Sequence, residues 1–75
     1  MTVKKLKRSV TLAGHRTSIS LEAEFWTALA DIATEKGRPL ARIIDEVDKR
    51  EGRDQNLSSA LRVFVLAHYR GPKGK

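Results

Sequence analysis

The 75-residue chain has no cysteine, two prolines, four aromatic residues and no long apolar run, and each scarcity excludes something. Without thiols there is neither a disulfide framework nor a thiolate zinc site. The two histidines, His15 and His68, lie far apart, so no zinc-ligand spacing exists and no metal or other cofactor is expected. No apolar stretch approaches the roughly 20 residues that cross a bilayer, and the basic start MTVKKLKRSV leads into no signal-type apolar core. The expectation is a cytoplasmic protein without a membrane partner. A chain this short holds one domain, and so small a core is marginal without a staple or a second copy. No glycine-rich phosphate loop, paired-carboxylate site or nucleophile with its base stands out, so an enzyme is not expected.

Acidic residues are missing from both ends. Positions 1–16 carry Lys4, Lys5, Lys7, Arg8 and Arg16 and no acid. All nine acids fall between Glu22 and Asp54, and from Gln55 onward there are only basic charges. Basic ends around a nearly balanced middle point to a polyanion, with nucleic acid ahead of anionic lipid; the alternative is solubilising charge on frayed ends. A lipid surface would want more apolar area beside the lysines than Met1, Val3 and Leu6 provide.

Periodicity divides what remains. The first seven residues look like a flexible basic arm, and 8–13 (RSVTLA) like an extended segment interrupted at Gly14. Residues 16–21 alternate, with Thr17, Ile19 and Leu21 on one face and Arg16, Ser18 and Ser20 on the other. A first helix is expected over 22–36, with Phe25, Leu29, Ile32 and Ala33 as its stripe, Ser20 as a possible cap and Trp26 at the edge of the core. Gly37 stops it. Pro39 opens a second helix over 39–50 with the stripe Leu40, Ile43, Ile44 and Val47. EGRDQN at 51–56 is a linker. A third helix over 57–69 follows, capped by Asp54 or Asn56, with Leu57, Ala60, Leu61, Phe64, Val65 and His68 on one face. Residues 1–14 thus form a basic arm with an extended segment, 15–70 the folded domain and 71–75 a flexible tail.

One amphipathic strand followed by helices cannot close a core alone. Two copies can, by pairing their strands antiparallel and interlocking their helices, which leaves a polar two-stranded ribbon able to enter the major groove of DNA. The stretch GHRTSISLEAEFWTALADIATEKGRPLARIIDEVDKR resembles the ribbon-helix-helix family of DNA-binding proteins, and NLSSALRVFVLAHYR makes the resemblance closer to a branch of small proteobacterial members. It covers roughly residues 8–70. What it implies is a mainly α fold with one short strand, a ribbon-helix-helix unit plus an extra C-terminal helix, forming an intertwined homodimer.

The resemblance also implies that Arg16, Ser18 and Ser20 contact base edges. Arg38 stands where the family holds a phosphate at the start of its second helix. Pro39 departs from that pattern by removing one backbone donor. Lys4, Lys5, Lys7, Arg8 and His15 are the remaining phosphate contacts expected. The implied function is a sequence-specific transcriptional regulator, a repressor, on double-stranded DNA, with further assembly of dimers left open. Alternatives are an antitoxin-like protein or a purely protein-binding module.

Overall fold

A computed structural model describes residues 4–12, 14–51 and 56–71 of the chain. The order is β1 (Lys5–Leu12), β2 (His15–Glu22), α1 (Ala23–Lys36), α2 (Leu40–Glu51) and α3 (Leu57–Arg70). Residues 1–3 of the expected arm, Ala13 of the expected extended segment, 52–55 of the expected linker with the alternative cap Asp54, and 72–75 of the expected tail lie outside the described residues.

The single short strand expected from the sequence is instead a hairpin of two eight-residue strands. β1 and β2 pair antiparallel within the same chain, from Lys5 opposite Glu22 to Leu12 opposite His15. The ribbon therefore needs no second copy to supply its partner strand. Lys5 and Lys7 belong to β1 rather than to a flexible arm, and Arg8 to Leu12 of the expected extended segment form the rest of that strand. Two residues connect the strands, and Gly14 takes φ 83°, a left-handed value that glycine reaches without a Cβ penalty. β1 alternates as β2 does. Leu6, Val10 and Leu12 point to the same side as Ile19 and Leu21, and only Arg8 breaks that apolar series.

The helices cover this side. Leu12, Ile19 and Leu21 are buried with Trp26, Leu29, Ile32 and Ala33 of α1, Ile43, Ile44 and Val47 of α2, and Leu61 and Val65 of α3. Leu21, Leu29, Ile32, Ile43, Ile44 and Leu61 are fully enclosed, each contributing about 1.5–3 kcal/mol of burial free energy. No buried polar or charged residue occurs among the described ones. One chain thus encloses a core, and strand exchange is not required to complete it.

Local chemistry sets the helix ends. Gly37 at φ 66° turns the chain out of α1, with its N–H donating to the Thr34 carbonyl and the Arg38 N–H to that of Ala33. A Cβ at Gly37 would meet nothing within 4 Å, so its backbone angle is the constraint rather than crowding. Pro39 stands one residue ahead of α2, where its carbonyl accepts from Arg42 and Ile43 and its missing donor costs nothing. Asn56 caps α3 by accepting the Ser59 N–H at 3.2 Å. Ser20, by contrast, does not cap α1. Glu22 occupies that position without a side-chain cap bond, because the strand continues two residues further than Ser20.

Trp26 is also placed differently. It is buried, and its indole N–H donates to the Leu6 carbonyl at 2.9 Å, tying α1 to β1. Arg8 lies over the Trp26 ring at 5.1 Å, which is how a cation is accommodated in the inward series of β1. α3 is fastened to β2 and α1 by polar contacts. The Ser58 hydroxyl donates to the Ser20 carbonyl at 3.0 Å, Arg62 makes two bonds to Glu22 at 2.9 and 3.2 Å, and His68 meets Glu35 at 3.1 Å.

Candidate nucleic-acid interface

Antiparallel alternation gives the hairpin a second face. It carries Lys5, Lys7, Ser9 and Thr11 of β1 opposite Glu22, Ser20, Ser18 and Arg16 of β2, respectively. All are exposed except Ser20 and Glu22, which are half-buried. No large apolar group lies among them; the face is lysine, arginine, hydroxyl and one acid.

The two-residue connection fixes the spacing as well as the direction. Leu12 and His15 flank it and form the hydrogen-bonded kind of pair, so the pairs of the outward face are the alternate, non-hydrogen-bonded kind. Side chains of such pairs stand closer together, with Cα atoms about 4.5 Å apart. Two further bonds agree with this parity. The Ala23 N–H donates to the Lys4 carbonyl at 3.1 Å, continuing the ladder, and the Ser20 carbonyl is turned away from β1 toward Ser58.

Electrostatically the outward face is positive. Lys7 and Arg16 make no ion pair among the described residues. Glu22, the one acid, is engaged by the Arg62 guanidinium, whose hydrogen bonds hold its carboxyl below the ordinary value of 4.5, with a smaller contribution from Lys5. Glu22 therefore stays ionised yet offers little free charge to repel an anion.

Of the residues named from the sequence, Arg16, Ser18 and Ser20 share this face with Lys5 and Lys7, and exposed Lys4 immediately precedes it. Arg8 and His15 belong to the opposite, helix-covered side, Arg8 over Trp26 and His15 exposed at the turn end. Arg38 sits in the connection between α1 and α2. Its guanidinium pairs with Glu46 and its N–H is given to Ala33, so neither is held open for an anion. Ser9 and Thr11 were missed. They lie in the stretch 8–13 expected to be extended, and what went unseen was its pairing with β2, because the lysines just before it imitate an arm.

A second surface is different in kind. On α3, Val63, Leu66 and Tyr69 are 64, 56 and 56% exposed, beside an apolar hollow of about 330 Å³ lined also by Phe25 and Arg62. No helix among the described residues is long and apolar enough to cross a membrane.

The comparisons with known proteins agree with this architecture. A family model described as the ribbon-helix-helix domain matches residues 5–69, taking in β1 as well as α3. Among solved structures, an uncharacterized protein from Bordetella pertussis Tohama I superposes with a TM-score of 0.77 at 30% sequence identity. The superposition covers 96% of this chain and 66% of that one, so the chain spans just under two thirds of that neighbour's length. No match to the chain is found among curated proteins. The match over nearly every described element shows that the chain belongs to the ribbon-helix-helix domain family.

Proposed function

We propose that this protein is a sequence-specific DNA-binding transcriptional regulator, a repressor, that acts as a homodimer in the cytoplasm on the nucleoid. The family is one of regulatory modules that usually bind DNA as dimers and are typically not enzymes. One observation carries the proposal: Lys5, Lys7, Arg16, Ser9, Thr11 and Ser18 share the solvent face of a two-stranded ribbon. The opposite face is closed by helices. A two-stranded ribbon fits the major groove, about 12 Å wide, where base edges carry a distinct donor and acceptor code. Arg16 has the planar fork for guanine O6 and N7, and Ser18 and Ser20 offer hydroxyls. Lys4, Lys5 and Lys7 supply phosphate contacts that act on every sequence.

Because the ribbon forms within one chain, dimerisation is assigned to apolar burial rather than to strand exchange. The exposed Val63, Leu66 and Tyr69 of α3 are the apolar area that a second copy would cover. The same patch favours a second reading, in which α3 docks a different protein, as in an antitoxin-like role.

Selection from a random duplex library at two salt concentrations tests the proposal. A defined sequence is enriched, and retention falls steeply as salt rises, because counterions released by phosphate contacts then compete. Failure to retain any duplex at low salt would transfer the function to the α3 surface.

A further inference from the structure

We propose that β1 completes the base-reading surface: the hydroxyls of Ser9 and Thr11 contact base edges beside Ser18 and Arg16, so one chain supplies both strands of the ribbon that enters the groove. This inference rests on the DNA-binding reading above and extends it to residues of the first strand.

Four observations carry it. Ser9 lies directly opposite Ser18 and Thr11 opposite Arg16, in the close, non-hydrogen-bonded kind of pair. All four residues are exposed on the same face. Ser9, Arg16, Thr17 and Ser18 line an open hollow of about 390 Å³ on the ribbon. Finally, the residue types are graded along the hairpin. Near the turn the face carries two serines, a threonine and one arginine, whereas the end next to α1 carries Lys5 and Lys7.

That grading separates two kinds of contact. Short side chains let a ribbon approach the floor of the groove, and a hydroxyl has one donor and two acceptor sites, so it can meet purine N7, thymine O4 or an exocyclic amine. Successive residues of one face stand about 6.8 Å apart along a strand, close to two base-pair steps of B-DNA. Ser9 and Thr11 therefore address positions beside those reached by Ser18 and Arg16. Lys5 and Lys7 have long stems that suit the phosphate walls, and Glu22 at their end is engaged by Arg62.

The test uses the full chain with Ser9→Ala, Thr11→Val and the double variant, titrated on the library-selected duplex and on a scrambled one at two salt concentrations. Both side chains are exposed, and Val keeps the branched shape of Thr, so circular dichroism stays native. The double variant is expected to lose about tenfold on the selected duplex and less than about twofold on the scrambled one, with an unchanged salt slope. Thr11→Ser, which keeps the hydroxyl, retains most of the discrimination. Lys7→Ala weakens both duplexes alike and lowers the salt slope by about one.

If the double variant binds the selected duplex as the native chain does while Arg16→Ala loses discrimination, the role of β1 is overturned and DNA reading stands. If the native chain does not discriminate between duplexes at all, base reading itself is overturned, and this inference with it.

Discussion

The two faces of the hairpin are made from the same two strands, interleaved residue by residue, yet they obey different rules. Inward-pointing Leu6, Val10, Leu12, Ile19 and Leu21 are chosen by volume and by contact with the helices. Outward-pointing Lys5, Lys7, Ser9, Thr11, Arg16, Ser18 and Ser20 lie outside that core and are free to be chosen by what the protein meets. A one-residue slip of register would exchange the two sets, so burial of the inward set is what aims the outward one. Fold and recognition are therefore separable here by mutation, although they alternate along one sequence.

The largest break of that separation is expected on the inward side. Leu21→Ala removes a fully buried core side chain and should cost about 2–5 kcal/mol in denaturant unfolding. Any loss of DNA affinity should then track the unfolded fraction. An outward change should behave in reverse. Arg16→Ala leaves the unfolding free energy within about 0.5 kcal/mol of native and lowers affinity for the selected duplex by about 1–3 kcal/mol, with far less effect on scrambled DNA. Equal weakening on both duplexes would reduce Arg16 to a phosphate contact.

The smallest effect sharpens the boundary between the faces, where Glu22 joins the end of the ribbon to α3. Its folded carboxyl titrates below 4.5 because Arg62 bonds the ionised form. The contribution is therefore present above the unfolded value and is lost as pH falls through the folded one. In thermal melts over a pH range from neutral to acid, the native chain should exceed Glu22→Gln by a small margin at neutral pH. That margin should close below about pH 4.5 and be narrower in high salt. A gap that stays constant with pH would remove the ion pair from the account.

Most of the helical architecture was legible in the residues. Gly37 and Asn56 carry the backbone angle and the side-chain acceptor that end α1 and start α3, and the stripe Ile43, Ile44 and Val47 is buried as its spacing requires. The outward placement of Arg16, Ser18 and Ser20 followed from alternation alone. β1 was legible only in its second half, read as an extended segment over 8–13; its first half and its pairing with β2 were not, because the lysines around Leu6 imitate a solvated arm and Arg8 interrupts the apolar series. What reconciles Arg8 with that series is Trp26, a contact between positions eighteen apart that local periodicity does not reveal. Ser20 misled for a related reason. Its residue type suits a helix cap, but pairing with Lys7 keeps it in the strand, and the cap position falls on Glu22. The apolar surface of Val63, Leu66 and Tyr69 was hidden by the stronger stripe on the other side of α3.

Lysine footprinting tests most directly whether the outward face of the hairpin meets DNA. Lysines are acetylated in the free protein and in its complex with the selected duplex, and the sites are counted by mass spectrometry. Lys5 and Lys7 stand on the ribbon, whereas Lys36 and Lys49 lie in the last turns of α1 and α2. Strong protection of Lys5 and Lys7 is expected in the complex, with Lys36 and Lys49 modified as in the free protein. Unchanged modification at Lys5 and Lys7, or protection confined to the helical lysines, would contradict DNA contact through the ribbon.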